Sequence, residues 1–162
     1  MERQYTRLDE ARNLIDPLIK GITDEEDKRG AYVHLYGTGL CAAILALKRG
    51  YDRRMAEMAE VCGMLHDLFT YVHPEEDGEN HAPGCAEYAK KNVLDKLTQF
   101  TDEEKEMMYQ AVYNHSDKHI KGSVLDEIIK DADCAHHALR NPTEDYFWDR
   151  ERIQQVVQEM IN

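Results

Sequence analysis

The sequence contains few of the residues that β-rich and disulfide-linked proteins use. Of its 162 residues only nine are Gly and four are Pro, and no segment alternates apolar and polar residues over a useful length. These absences argue against a β-rich, turn-rich fold. The four cysteines (Cys41, Cys62, Cys85 and Cys134) form no C-x-x-C pair and lie among apolar residues. We therefore expect reduced cysteines in a helical core.

Long basic runs and long apolar runs are also missing. The 32 acidic residues outnumber the 20 basic ones, for a formal net charge of −12, and no Lys or Arg stripe is present to follow a phosphate backbone. This excludes a nucleic-acid duplex from the expected partners. No stretch of about 18 apolar residues and no N-terminal signal core is present. We expect a cytoplasmic protein with no membrane partner.

Apolar residues at helical spacing predict an all-α fold of about seven helices, forming a single domain over residues 1–162. Capping residues open several of these helices. The predicted helices cover about 6–20 (bent or ended by Pro17), 24–49 (opened by a capping box at Thr23), 52–67 (capped by Asp52), 82–97 (capped by Asn80), 101–115 (opened by Thr101), 123–139 (opened by Ser123), and a last helix capped by Thr143 that bears Tyr146, Phe147 and Val156. Its apolar stripe fits core closure, which we favour, or contact with another subunit, so a homo-oligomer stays open.

One histidine-aspartate doublet, His66–Asp67, ends an apolar predicted helix and is followed by a polar segment, 71–80, that we expect to form a surface loop and a lid. The ordered pattern H…HD…H…H…D, completed by His34, His81, His115 and Asp133, resembles the HD superfamily of metal-dependent phosphohydrolases. The segments HLYG, HAPGCAEYAKKNVL, YNHSDK and IIKDADCAHH extend the resemblance over nearly the whole chain and are similar to small stand-alone HD proteins.

The resemblance implies metal ligands at His34, His66, Asp67 and Asp133. Imidazole and carboxylate ligands together suit a divalent transition metal such as Mn, Fe, Ni, Co or Zn. His81 and His115 match positions that hold a second metal in some HD branches and contact the phosphate in others, so one or two ions are expected. The two neighbours His66 and Asp67 can both reach one ion only near the helix end, because successive helix residues point about 100° apart.

Around this set, four side chains are predicted to bind a small phosphorylated substrate: His81, His115, Lys118 and His137. Lys130 is a weaker candidate for binding the phosphate. Asp131 is expected either to lie behind the metal ligands or to be a charge on the helix surface, and His136 is expected to be exposed. Asp67 is the predicted catalytic residue, as a ligand that also orients the attacking water or accepts its proton. His73 and His119 lie in polar loops and have no predicted role.

We therefore predict a metal-dependent phosphohydrolase that acts on a phosphate ester or phosphoanhydride, with nucleotides as the substrate class. Leu68-Phe69-Thr70 replaces the Gly-Lys that follows the doublet in HD branches that hydrolyse cyclic dinucleotides, which argues against that substrate. Two alternatives stay open. One is an HD-type di-iron oxygenase, and the other is a non-catalytic sensor of a metal or nucleotide.

Overall fold

In the part of the chain that the structure describes, the fold consists of eight α-helices and contains no strand. This computed structural model describes residues 5–76, 78, 81–142 and 149–162. The helices are α1 (Arg7–Lys20), α2 (Glu25–Lys48, with a π-helical turn at Tyr32–Tyr36), α3 (Arg53–Leu65), α4 (Leu68–Val72), α5 (Ala82–Asn92), α6 (Asp102–Asn114), α7 (Val124–Arg140) and α8 (Arg150–Ile161). Seven have 11 residues or more and α4 has five. The all-α prediction of about seven helices is confirmed.

The helix starts follow the capping residues read from the sequence, with one exception. Asp52, Thr101 and Ser123 accept hydrogen bonds from the backbone of the helices they precede, as predicted. The capping box at Thr23 is wrong. The carboxylate of Asp24 accepts two backbone N–H bonds instead, so α2 begins at the next residue.

Helix α1 ends at Lys20 with Pro17 inside it, which confirms the predicted range of about 6–20 and excludes Pro17 as the end of the helix. One helix end and one loop differ from the sequence prediction. Helix α5 ends at Asn92 and not near 97, since Val93 leaves helical dihedral angles and a 3₁₀ turn follows. The segment 71–80 starts inside α4, with a 3₁₀ turn at Pro74–Glu76. The predicted caps Asn80 and Thr143, with Tyr146 and Phe147, lie outside the described residues.

Helix α3 runs through the centre of the bundle and carries the doublet at its end. Every residue from Ala56 to Leu65 is buried, and α3 packs against α1, α2, α6 and α7. Helices α2 and α3 cross closely, because a Cβ atom added at Gly63 would lie 2.5 Å from the Cα of Gly39. This close approach of the two backbones brings His34 and His66 together.

Helix α8 covers one side of the bundle. Val156 is buried, while Ile153 and Met160 pack against the core, so the apolar stripe closes the core as we favoured. Two arginines fix the neighbouring helices, since Arg49 and Arg152 both donate to Asp131, each over 2.6 Å. Asp131 therefore belongs to an ion-pair network between helices.

The four cysteines and the most apolar helix, α2, are both partly or fully buried. All four cysteines are free, with Cys41 half-buried and the other three buried, which confirms the expected reduced core residues. The expectation that no stretch of about 18 residues is apolar enough to span a membrane is wrong for α2. In the described residues it is the one helix that meets this test by length and composition, and 44% of its most apolar window is buried. A core helix of a bundle meets the same criteria.

Candidate metal centre

Three buried side chains from three helices form the first ligand group. His34 lies in α2, His66 follows α3 directly, and Asp133 lies in α7. The Nε2 atoms of His34 and His66 are 3.1 Å apart. Asp133 Oδ1 is 3.6 Å from the first of these nitrogens and 3.4 Å from the second. Two nitrogens and one oxygen thus surround a space of about the size of a metal ion.

Asp67 joins this group to a second one. Its Oδ2 atom lies 3.3 Å from Nε2 of both His34 and His66. Its Oδ1 atom lies 3.0 Å from His81 Nε2 and 3.1 Å from His115 Nε2. The two Nε2 atoms of this second histidine pair are 3.1 Å apart. One carboxylate therefore faces two histidine pairs, each with a different oxygen.

Irregular backbone at helix junctions makes this convergence feasible. His34 lies in the π-helical turn of α2, a distortion that is frequent at functional sites. Asp67 separates α3 from α4 with φ −118° and ψ 14°, close to the bridge region. His81 precedes α5 and His115 follows α6. Helix ends bring side chains of separate segments to one point, which the middle of a straight helix does less easily.

Hydrogen bonds to carbonyl oxygens fix the rings of two histidines. His66 Nδ1 lies 2.8 Å from Gly63 O, and His115 Nδ1 lies 2.7 Å from Val112 O. A carbonyl can only accept, so each Nδ1 must carry the hydrogen and donate it. In the neutral ring the Nε2 lone pair then points into the centre. Metal-binding histidines usually have this arrangement.

The donor set fits a divalent transition ion. Asp133 Oδ1 is buried without a well-formed hydrogen bond, although three imidazole nitrogens lie 3.3 to 3.6 Å away. Burial alone would raise the pKa of the Asp67 and Asp133 carboxyls, but the His66 ring and the Lys118 ammonium, respectively, lower it well below the usual range. Burial would likewise lower the pKa of His66, yet both carboxylates raise it to about 10. The centre therefore requires positive charge, which a proton or a metal ion can supply.

A model of the HD domain family matches residues 31–138, more than half of the chain. The chain belongs to the HD domain family. HD domains are generally metal-dependent hydrolases, and the two ligand groups, His34–His66–Asp133 and Asp67–His81–His115, agree with a metal-binding HD centre. No curated protein and no solved structure matches this HD chain.

Lys118 holds the second oxygen of Asp133 in this HD centre. Its Nζ donates to Asp133 Oδ2 over 2.7 Å and to the carbonyl oxygen of His115 over 2.8 Å. The nearby carboxylates raise the pKa of Lys118 against the effect of burial, so the ammonium stays charged. Two of its three N–H groups are thus used inside the protein.

The mouth of the HD centre carries further polar and aromatic groups. His137, 43% exposed, places Nε2 3.3 Å from Asp133 Oδ1. The Tyr71 ring centroid is 6.1 Å from that of His34, and the Tyr71 hydroxyl is hydrogen-bonded to Arg140. All eight side chains predicted from the sequence therefore lie in or beside one centre, and Tyr71 and Arg140 are additions that the sequence did not single out.

His136 is buried, and the prediction that it is exposed is wrong. Its Nδ1 lies 3.1 Å from His34 Nδ1, and a Cβ atom added at Gly37 would lie 2.2 Å from its Nε2. Burial and the adjacent His34 lower the pKa of His136 to about 4, so its ring is neutral near pH 7. A neutral His136 can accept the Nδ1 hydrogen of His34, which directs the His34 Nε2 lone pair to the centre. Its spacing from Ile129 and Ala132, both buried on α7, was the signal in the sequence.

The weaker candidates lie elsewhere or have structural contacts. Lys130 is 1% exposed and donates to Ile120 O and to Glu127, so it supports the loop before α7. His73 lies near Glu75 and Glu76 in an exposed group outside the centre. Exposed acidic groups of this kind are common without an ion.

Proposed function

We propose that this HD domain hydrolyses a phosphate ester or phosphoanhydride of a small molecule, with nucleotides as the substrate class. The observation that carries the proposal is the position of Asp67, whose two oxygens face two separate histidine pairs at 3.0 to 3.3 Å. Centres with two neighbouring ligand groups suit phosphoryl chemistry, because charge develops on both the attacking and the leaving oxygen.

His34, His66, Asp67 and Asp133 would hold one ion, and His81 and His115 would hold a second ion or the phosphate. A divalent ion bound there lowers the pKa of water and polarises a phosphoryl oxygen. Asp67 would orient the water or accept its proton. Its lowered pKa keeps the carboxylate ionised, so it can accept a hydrogen bond from that water. His81, 29% exposed in its side chain, is the most accessible of the four ligand histidines.

The substrate class is supported by the charges and rings at the mouth. Two N–H groups of Lys118 donate to Asp133 and to the carbonyl oxygen of His115, and the third is left for a phosphate oxygen. Arg140 adds a second cation and Tyr71 an aromatic face beyond the reacting group. A phosphate carrying a ring system would meet both kinds of contact. The chain's four free cysteines support a reducing compartment, and we propose that it works in the cytoplasm.

A substrate panel tests the proposal. Protein loaded with Mn, Co, Ni or Mg is incubated with nucleoside mono-, di- and triphosphates and a generic phosphoester. We expect hydrolysis that needs a divalent ion and falls at least about 100-fold in Asp67→Asn, which keeps the side-chain size but removes the charge. Asp95→Asn, at a surface aspartate, serves as the matched control and retains activity. Equal activity in metal-free protein would disprove the mechanism.

A di-iron oxygenase is the second candidate, because the same Asp67 geometry suits two irons as well. Iron content distinguishes the oxygenase from the phosphohydrolase. Two irons per chain, oxygen consumption, and loss of one iron in His81→Ala or His115→Ala support the oxygenase. A metal-loaded protein that neither hydrolyses the panel nor consumes oxygen supports a sensor.

A further inference from the structure

The last two turns of α7 lead from the metal centre to its mouth along one side of the helix. Asp133, His137 and Arg140 have the spacing i, i+4 and i+7, which places their side chains on one face. The 3.3 Å between Asp133 Oδ1 and His137 Nε2 shows that these two side chains meet. Arg140 follows about 10 Å further along the helix axis than Asp133. This face therefore carries a cation two turns beyond a candidate metal ligand.

The partner of Arg140 differs from the partners of most other arginines in the described residues. Seven of these arginines pair with carboxylates: Arg7, Arg12, Arg29, Arg49, Arg53, Arg54 and Arg152. Arg140 is exposed and is hydrogen-bonded to the hydroxyl of Tyr71. A cation in the last turn of a helix is favourable by itself, but this does not account for the contact with Tyr71. A neutral hydroxyl also leaves the charge of the guanidinium without an opposite charge.

Tyr71 holds Arg140 on the side of the metal centre. The half-buried Tyr71 ring has its centroid 6.1 Å from that of His34. A Cβ atom added at Gly30 would lie 3.6 Å from the same ring, so α2 supports it. The guanidinium can only donate, so the Tyr71 oxygen accepts and its own hydrogen stays available. Arg140 and Tyr71 therefore offer one charged and one neutral donor at the same place.

We propose that Arg140, together with the hydroxyl of Tyr71, binds a second phosphate group of the substrate, next to the phosphate that binds at the metal centre. With this role, which rests on the function proposed above, the substrate class narrows to nucleoside di- and triphosphates. Guanidinium groups bind phosphate oxygens through two parallel N–H bonds. Arg140 is then a specificity-determining residue, and Tyr71 is a positioning residue that also donates.

The distance along α7 assigns Arg140 to the second phosphate and not to the reacting one. The reacting phosphate binds next to Asp133, where Lys118 Nζ lies 2.7 Å from Asp133 Oδ2 and supplies a cation. Arg140 meets the part of the substrate that follows. A nucleoside base would also stack on a guanidinium, but the Tyr71 hydrogen favours an acceptor oxygen there. A charged phosphate oxygen is the stronger acceptor.

Binding of two analogues that resist hydrolysis tests the role of Arg140. α,β-Methylene-ADP carries two phosphorus groups joined through carbon, and the 5′-phosphonate analogue of AMP carries one. Calorimetry uses the full-length protein loaded with Mn²⁺ or Co²⁺. We expect the wild type to bind the diphosphate analogue at least about tenfold more tightly than the phosphonate, because only the former reaches Arg140 while it contacts the metal centre.

Two variants separate the charge from the hydroxyl. Arg140→Gln keeps polar atoms but removes the charge, so we expect it to bind the diphosphate analogue about 10- to 100-fold more weakly and the phosphonate less than about threefold more weakly. Tyr71→Phe keeps the ring, and its loss of about three- to tenfold should again be confined to the diphosphate analogue. Arg140→Lys keeps the charge and should lose less affinity than Arg140→Gln.

Arg53→Gln is the matched control. It removes the same charge from a side chain that is 86% exposed at the start of α3, and it should bind both analogues as the wild type does. Circular dichroism and metal content confirm that each variant is folded and loaded.

Three results would overturn the role of Arg140: equal affinity of the wild type for the two analogues, binding of neither, or a loss in Arg140→Gln that is the same for both. Hydrolysis is measured separately with the substrate panel. A protein that binds the diphosphate analogue through Arg140 but hydrolyses no nucleotide retains this subsite and refutes the hydrolase. A nucleotide hydrolase whose binding does not depend on Arg140 gives the reverse result.

Discussion

At the residue scale, the histidines of this HD domain form two layers. Four of them direct nitrogen atoms into the centre, and His136 lies behind His34 at 3.1 Å between the two Nδ1 atoms. Two of the inner rings are held by backbone carbonyls, at Gly63 and Val112. For His34 the acceptor at Nδ1 is a side chain, that of His136, and not a backbone carbonyl. The orientation of His34 therefore depends on a single residue, which a substitution can remove.

Removing the acceptor at His136 should weaken metal binding. His136→Phe keeps an aromatic ring but cannot accept the Nδ1 hydrogen of His34, so the ring orientation is no longer fixed. Loss of such an outer partner typically reduces metal affinity roughly 10- to 100-fold. Competition with a chromophoric chelator for Co²⁺ measures the effect. His119→Phe, in the exposed turn after α6, is the control, and equal affinity in His136→Phe would contradict the assigned contact.

At the element scale, α2 carries both a metal ligand and the close contacts that place it. The π-helical turn holds His34, Gly37 leaves room for His136, and Gly39 allows the crossing with α3. Helix α7 lies on the other side and supplies Asp133 and His136. The geometry of the centre is therefore sensitive to small changes along α2.

Gly37→Ala and Gly30→Ala should have opposite effects on stability. Alanine at 37 would place its Cβ 2.2 Å from His136 Nε2, whereas at 30 the nearest atom is in the Tyr71 ring at 3.6 Å. We expect Gly30→Ala to raise the free energy of unfolding by up to about 1 kcal/mol through helix propensity. Gly37→Ala should lower it by about 1–2 kcal/mol, because overpacking outweighs that gain. Urea unfolding of the metal-free proteins measures both, and a stabilised Gly37→Ala would refute the contact.

The start of α6 should contribute stability that depends on pH. A hydrogen bond from Arg54 and one from the backbone of Thr101 lower the pKa of Glu104 to about 2, although burial acts in the opposite direction. The folded pKa is thus below the unfolded value of about 4.3. The contribution is present above pH 4.3 and is lost as the pH falls towards 2.

Glu104→Gln tests this contribution. At pH 7 we expect the variant to be roughly 1–2 kcal/mol less stable than the wild type, and the difference to shrink steadily from pH 5 to pH 3. Glu103→Gln, exposed in the same turn, is the matched control and should show little difference at either pH. Urea midpoints over this range give the comparison. A difference that is constant with pH would show that Glu104 acts by packing alone.

At the scale of the whole molecule, the centre connects helices that are distant in the sequence. Its candidate ligands come from α2, the ends of α3 and α6, the start of α5, and α7. Two of them are carboxylates that are nearly buried. In the absence of an ion their charge is balanced mainly by His66 and Lys118. An ion bound only by the folded chain should therefore stabilise the entire bundle.

Metal removal should lower the melting temperature, by an amount that grows with the ratio of ion concentration to dissociation constant. At an ion concentration 100 times the dissociation constant the stabilisation is about 2.7 kcal/mol. For a chain of this size that corresponds to roughly 5–10 °C. Calorimetry with Mn²⁺ or Co²⁺ and then with a chelator measures the shift. Asp67→Asn should show a much smaller response, and an equal shift in that variant would place the ion elsewhere.

Most helices and the set of candidate metal ligands could be predicted from the sequence. Caps such as Thr101 and apolar spacing act within a few residues, so they can be recognised without tertiary contacts. The ordered histidines and aspartates were recognised as a pattern, and the structure brings all of them into one centre. The errors were local as well: the cap at Thr23 and the end of α5 depend on small differences between neighbouring helical and turn conformations.

How Asp67 divides its oxygens between two histidine pairs could not be predicted without the packing of the helices. That arrangement depends on the meeting of three helix ends, at His66–Asp67, His81 and His115, with the π-helical turn of α2, and no spacing along the chain encodes those distances. Burial of His136 follows from the same packing, because Gly37 on another helix leaves the space it occupies. The exposed face of α2 also became visible only then. In the sequence, residues 30–47 have the composition of a fully buried helix, and only packing shows which half of its apolar residues remains uncovered.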